Sequence, residues 1–173
     1  MGKKRISFSL DPDSIGKAIA ELEAYKEEFL KKVERFRERV GVELSDRAAA
    51  LFGGSIVDDV IKGERRTAQV TMEVADRDGI SVIIAHGEDA VWVEFGAGVY
   101  HNGGAGGSPH PRGSELGMTI GSYGPNGKKN TWGYYDENHE LVLTHGTPAT
   151  MPMYNAALAV CAEIDTIASE VFG

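Results

Sequence analysis

Ala68-Gln69-Val70-Thr71-Met72-Glu73-Val74, followed by Asp76-Arg77-Asp78-Gly79 and then Ile80-Ser81-Val82-Ile83-Ile84-Ala85, is the stretch that decides the fold. Ala68, Val70, Met72 and Val74 alternate with Gln69, Thr71 and Glu73, the period of a strand with one buried face. The Asp-Arg-Asp-Gly run is turn chemistry, and the β-rich run after it completes an antiparallel hairpin.

Upstream of the hairpin the periodicity is helical. Asp13 or Ser14 can cap a helix start after Pro12, and the apolar pattern then runs to about Val40 before Gly41. Its stripe is Ile15, Ile19, Leu22, Phe29, Val33, Phe36 and Val40. Such a stripe either lies across a sheet of the same chain, the commoner use, or packs on another subunit; Lys26 interrupts its second seam. Residues 43–52 read as a further helix weakened by Gly53 and Gly54. Ile56, Val57, Val60 and Ile61 then resume helical spacing up to a Schellman-type stop at Gly63.

Downstream, Glu88 and Asp89 suit the start of a short helix through Val91, Trp92, Val93, Glu94 and Phe95, with strand as the alternative. Residues 96–131 hold eleven of the 22 glycines with almost no periodic apolar signal. Such a stretch is either a floppy insertion or a loop that orders against a partner. Trp132, Tyr134 and Tyr135, an acidic turn and residues 141–143 resemble a second hairpin. Pro152 then suits the first turn of a last helix with Ala157, Ile164, Ile167 and Val171 facing inward. The fold class expected is α+β: an antiparallel sheet of two hairpins covered by a long N-terminal and a C-terminal helix. One domain is expected over residues 1–173, divided into a helical region (14–62), a hairpin with a short apolar segment (66–95), the glycine-rich loop (96–131) and a second hairpin with the last helix (132–173).

Composition narrows the function. The chain has 173 residues, 42% hydrophobic and 25% charged, with no apolar run near the ~20 residues that span a bilayer. The apolar stretch after Lys3, Lys4 and Arg5 is broken by Ser7, Ser9 and Asp11, so no signal-peptide core is read and a reducing cytoplasm is expected. Cys161 is the single cysteine, which excludes an intramolecular disulfide; its helical spacing reads as a buried, inert thiol. The net charge is −8, and residues 132–173 carry six acidic residues without a Lys or Arg, so nucleic-acid binding is disfavoured.

The search for chemistry returns no catalytic, cofactor or metal residues. Gly96-Ala97-Gly98-Val99-Tyr100-His101 lacks the third glycine and the helix of a dinucleotide fingerprint, and there is no P-loop. His86, His101, His110, His139 and His145 fit no helical metal-ligand frame. Gly107-Ser108-Pro109 is not a nucleophile elbow. Asp58 and Asp59, adjacent and read as helical, point to different faces. A small hydrolase using His101, Ser108 and His110 stays as the rival enzyme reading.

Two runs stand out: Ala90-Val91-Trp92-Val93-Glu94-Phe95-Gly96-Ala97-Gly98, and His145-Gly146-Thr147-Pro148-Ala149-Thr150-Met151-Pro152-Met153-Tyr154-Asn155-Ala156-Ala157. Together, in this order, they resemble the head-tail joining, or tail-completion (neck), proteins of long-tailed bacteriophages, a likeness that spans nearly the whole chain. It departs from many relatives at Lys62-Gly63-Glu64-Arg65-Arg66-Thr67, where they have a Pro-x-Asp-Thr-Gly turn. The resemblance implies a structural virion protein of the neck or tail, assembled in the bacterial host cytoplasm as a hexameric ring. It implies connector or stopper proteins and tail-tube or tail-terminator proteins as partners, with no cofactor, no membrane and no direct nucleic-acid recognition. A tail terminator or minor capsid protein of the same architecture is the alternative. The assembly interface it implies comprises Trp92, Glu94, Phe95, Gly96, Gly98, Tyr100, His101, Tyr123, Trp132, Pro148, Pro152 and Tyr154. Physically, Trp92 and Phe95 can bury while Glu94 stays at a surface, Gly96 and Gly98 allow a sharp exit, and Pro148 and Pro152 fix the entry to the last helix; the plainer reading is a core helix and its C-cap.

Overall fold

A computed structural model of the protein describes residues 5–59, 64–98, 106–116, 119–120, 132–136, 138–144 and 146–173. In chain order these form α1 (Pro12–Gly53), β1 (Ile56–Asp59), β2 (Glu64–Thr67), β3 (Thr71–Arg77), β4 (Ile80–His86), α2 (Asp89–Phe95), β5 (Ala97–Gly98), β6 (Gly106–Gly107), β7 (Thr119–Ile120), β8 (Trp132–Tyr135), β9 (Leu141–Thr144), β10 (Gly146–Thr147) and α3 (Pro152–Phe172). The class is α+β. The strands described form five antiparallel pairs, β1 with β2, β3 with β4, β5 with β10, β6 with β7 and β8 with β9. Both expected hairpins are present, with Asp76 opposite Ser81 and Tyr135 opposite Leu141 in register.

α1 is one continuous helix of 42 residues, about 63 Å long. Its cap is Asp11 rather than Asp13 or Ser14. Pro12 takes the first helical position, where its missing N–H costs nothing, and the Ser14 N–H donates to Asp11 Oδ1 at 2.9 Å. Nor does the helix pause at Gly41. A Cβ there would sit 3.3 Å from Val74 Cγ1, so the glycine marks where the β3–β4 hairpin crosses close to the helix, and that packing offsets its low helix propensity. α1 ends at Gly53, where the Gly54 N–H reaches the carbonyls of Ala50 and Leu51.

Residues 56–59 depart from the helical expectation: they are a strand. Gly53 and Gly54 break the helix, and the β-branched pair Ile56 and Val57 then faces Thr67 and Arg66 across the β1–β2 ladder. Asp58 and Asp59 accordingly lie on a strand. The stop expected at Gly63 lies outside the described residues, as does most of the 96–131 loop.

The core lies at the C-terminal end of α1. Phe52, Ala68, Ala90 and Val93 form its buried centre, with Val57, Val70, Met72, Ala85 and Met153 packed against it. α3 runs back antiparallel to α1: Arg47 pairs with Glu163, Arg39 with Glu170, and the Phe172 ring lies 5.9 Å from Phe29 and 5.7 Å from Phe36. α3 buries Pro152, Ala156, Val160, Ile167 and Val171. Ile167 and Val171 face inward as expected, whereas Ala157 and Ile164 are only half-buried and Cys161 is exposed, because the inward arc is set by the crossing with α1.

The α1 stripe therefore divides. Its C-terminal half is covered by α3 and the β3–β4 hairpin, as expected of a core helix. Its N-terminal half continues about 25 Å beyond the Phe29–Phe172 contact, and Ile19 and Leu22 there stay half or more exposed. Phe52, 1% exposed, is the largest side chain of the core centre. Phe52→Ala is expected to lower stability by about 3–5 kcal/mol, read as a lower denaturation midpoint with an unchanged denaturant slope.

Candidate functional site

α2 is only seven residues, yet it carries the two buried acidic groups around which this end of the molecule is organised. Apolar residues lie on all its sides, so neither carboxyl has a face reserved for it. Each is held by groups brought in from elsewhere in the chain.

Glu94 is buried, which corrects the expectation that it stays at a surface. Its Oε2 accepts the Met153 N–H at 2.8 Å, and its Oε1 accepts the Tyr154 N–H at 3.0 Å. These amides belong to the first turn of α3, whose own cap position, Met151, offers no side-chain acceptor. Met151 adopts a left-handed backbone with φ 53°, unusual for a side chain of its size. The Thr150 and Met151 N–H groups both point to the Val93 carbonyl, so α2 supplies acceptors for the four main-chain N–H groups that flank Pro152 at the entry to α3.

His110 closes the other side. The Arg112 N–H donates to its Nδ1 at 3.0 Å, which assigns the proton to Nε2, 3.1 Å from Glu94 Oε1. The imidazole sits between Phe95, 4.5 Å centre to centre, and the edge of Tyr154 at 5.3 Å. Ser108 Oγ donates to the Phe95 carbonyl and accepts the His110 N–H, so this hydroxyl serves the main chain and is not paired with the imidazole. The middle of the glycine-rich stretch is thus bound to the protein's own core. His110 carried no periodic signal in sequence; its partner lies 16 residues earlier and is reached only through the fold.

Asp89, at the start of α2, is buried as well. Arg66 forks onto both its oxygens and the Gln69 N–H donates to Oδ2 at 2.9 Å. Burial pushes this carboxyl up, but the Arg66 and Gln69 hydrogen bonds and the Arg66 charge outweigh it and hold it below the usual aspartate range.

The residues named from sequence fall into three groups. Glu94, Phe95, Gly96, Pro152 and Tyr154 converge on the α2–α3 junction, with Gly98 opposite Gly146 and Pro148 half-buried in the same connection. Gly96 takes φ 79° and returns its N–H to the Trp92 carbonyl, the sharp exit expected there. Trp92 does not bury: it is 47% exposed. Trp132 is placed in β8 opposite Thr144. Tyr100, His101 and Tyr123 lie outside the described residues.

Trp92 borders an open groove of about 840 Å³ whose walls are Arg66, Glu88 and Val91 on one side and Tyr135, Asp136 and Asn138 of the β8–β9 turn on the other. Its lining combines exposed aromatic surface with two carboxyl groups. The Asp136 carboxyl is engaged by the Asn138 and Glu140 N–H groups, which fixes the turn. Among the described residues no group of His, Cys, Asp and Glu could hold a metal ion, and no helix is long and apolar enough to cross a membrane. Compared with known proteins, the chain matches no family model, no curated sequence and no solved structure.

Removing Glu94 leaves buried donors without an acceptor, each costing about 1–3 kcal/mol. Glu94→Ala is expected to lose at least 3 kcal/mol or so of stability in chemical denaturation. Glu94→Gln, which keeps one acceptor oxygen but sets an NH2 against a donor, is expected to fall in between. For Asp89, a folded-state pKa below the unfolded value means its contribution is complete above the unfolded value of about 3.9 and fades as the pH falls through the folded one. Asp89→Asn is expected to flatten the pH dependence of the melting temperature in that acidic window only.

Proposed function

We propose that this protein is a structural component of the bacteriophage neck, assembling as a ring at the head-proximal end of the tail and joining it to the capsid connector. One observation carries the reading: the two motifs on which the family likeness rests, residues 90–98 and 145–157, belong to one physical unit. They are joined by the Glu94 cap on α3, the Val93 carbonyl contacts and the β5–β10 pairing. A unit of that kind places Trp92 and the adjoining groove on a rigid base, as an assembly surface needs.

Two features support the mechanical role. The protein leaves apolar side chains exposed along the N-terminal half of α1, surface of the kind that marks contacts between proteins. Its two ends differ in character, a projecting amphipathic helix at one and an acidic, aromatic groove at the other. Contacts between unlike surfaces are the heterologous type that closes into rings.

The test is the solution mass of the purified protein by light scattering across a concentration series, alone and with a candidate connector or tail-tube protein. A closed ring, hexameric by the family likeness, is expected. A monomer that stays monomeric with every such partner would overturn the reading.

A further inference from the structure

The molecule holds a basic, apolar segment and an acidic, aromatic groove that cannot meet within one chain. The segment is residues 3–10, Lys-Lys-Arg-Ile-Ser-Phe-Ser-Leu, with three positive charges followed by Ile6, Phe8 and Leu10 on alternate positions. Residues 5–10 have no regular structure, and Phe8 and Leu10 are 60% and 93% exposed, an unfavourable state for side chains of this kind in water. The segment leaves α1 in a set direction, because the Ser9 N–H donates to Ser14 Oγ at 3.0 Å and Ser9 Oγ donates to the Asp11 carboxyl.

The groove has the matching chemistry. Val91, Trp92 and Tyr135 offer apolar surface, 43%, 47% and 72% exposed, and Glu88 and Asp136 supply negative charge. The positive charge of Arg66 in the same wall is already balanced by the buried Asp89. An unbranched basic side chain can lie over the Trp92 face and reach a carboxyl beyond it.

Distance settles which copy supplies the segment. The groove lies beside Ala90 and Val93, which pack on Phe52. From Pro12 to Phe52 the rigid α1 rises about 60 Å, whereas residues 3–10 span at most about 28 Å when fully extended. A chain cannot fill its own groove.

We infer that residues 3–10 of one copy dock in the groove between α2 and the β8–β9 turn of the next, the basic residues on Glu88 and Asp136 and the apolar ones against Trp92 and Tyr135. This deepens the ring reading, on which it rests, by naming the subunit contact. The contact is head to tail, so each copy donates one segment and receives one.

Charge exchange on the full chain tests it. Lys3→Glu, Lys4→Glu and Arg5→Glu together, or Glu88→Lys with Asn138→Lys in the groove wall, are each expected to weaken self-association about tenfold or more in light scattering, with unchanged melting temperatures. The protein carrying both sets is expected to regain assembly. In a Cys161→Ser background, mixing a Phe8→Cys chain with a Tyr135→Cys chain is expected to give an inter-chain disulfide that neither chain forms alone. Charge-reversed segments that assemble as the unaltered protein does, or absence of the mixed cross-link in assembled rings, would overturn the docking and leave the ring standing. An unaltered protein that remains monomeric with every neck partner overturns both.

Discussion

The carboxyl group of Glu94 is the constraint on which the rest of the structure turns. A helix beginning at Pro152 has free N–H groups in its first turn and, at Met151, a residue with no side-chain acceptor to meet them. Glu94 supplies that acceptor from a different helix, and His110 then occupies the remaining side of the same group. The start of α3, the orientation of α2 and the middle of the glycine-rich stretch are consequently one problem with one solution. Met151 in a left-handed backbone is part of it: that turn aims the Met153 and Tyr154 amides at the acid, and its local strain is offset by the hydrogen bonds it permits.

This arrangement separates rigidity from recognition. The residues with conspicuous chemistry at this junction, Glu94, His110 and Ser108, are engaged with the protein's own main chain. The side chains left outside include large apolar and aromatic ones: Trp92 and Tyr135 at one end, and Ile19 and Leu22 of the α1 stripe at the other. The exposed surface thus has the composition of a protein contact, displayed on a base whose internal hydrogen bonds leave it little freedom to move. The length of α1 keeps its two ends about 60 Å apart, too far for one to cover the other.

Where sequence reading succeeded and failed has particular causes. The β3–β4 hairpin was legible because apolar–polar alternation before an Asp-Arg-Asp-Gly turn has no helical equivalent, although the strand starts at Thr71 rather than Ala68 and Val74 stays exposed; the α3 start was legible because proline is confined to the first turn. Residues 56–59 misled because an apolar spacing of one, four and five suits a helix as well as a strand, and only the pairing with β2 decides. Glu94 and Trp92 occupy the reverse of the environments their side chains suggest, the acid buried and the tryptophan exposed. In a seven-residue helix with apolar neighbours on every side, no periodicity marks the inward face. Bulk alone favours burying the tryptophan, whereas the demand came from amides 59 and 60 residues away.

What the sequence by itself determined is therefore the local part: a long N-terminal helix, two hairpins, a last helix entered through proline, and the absence of a bilayer-length apolar run. These follow from periodicity and backbone stereochemistry, which act over a few residues. The tertiary structure alone decided that α1 runs through Gly41, that two acids of α2 are buried and satisfied, that His110 is drawn into the core, and that Trp92 faces a groove. Each of these depends on a polar group or a close approach whose partner is distant in the chain, and no local pattern encodes the cost of leaving such a group unmet.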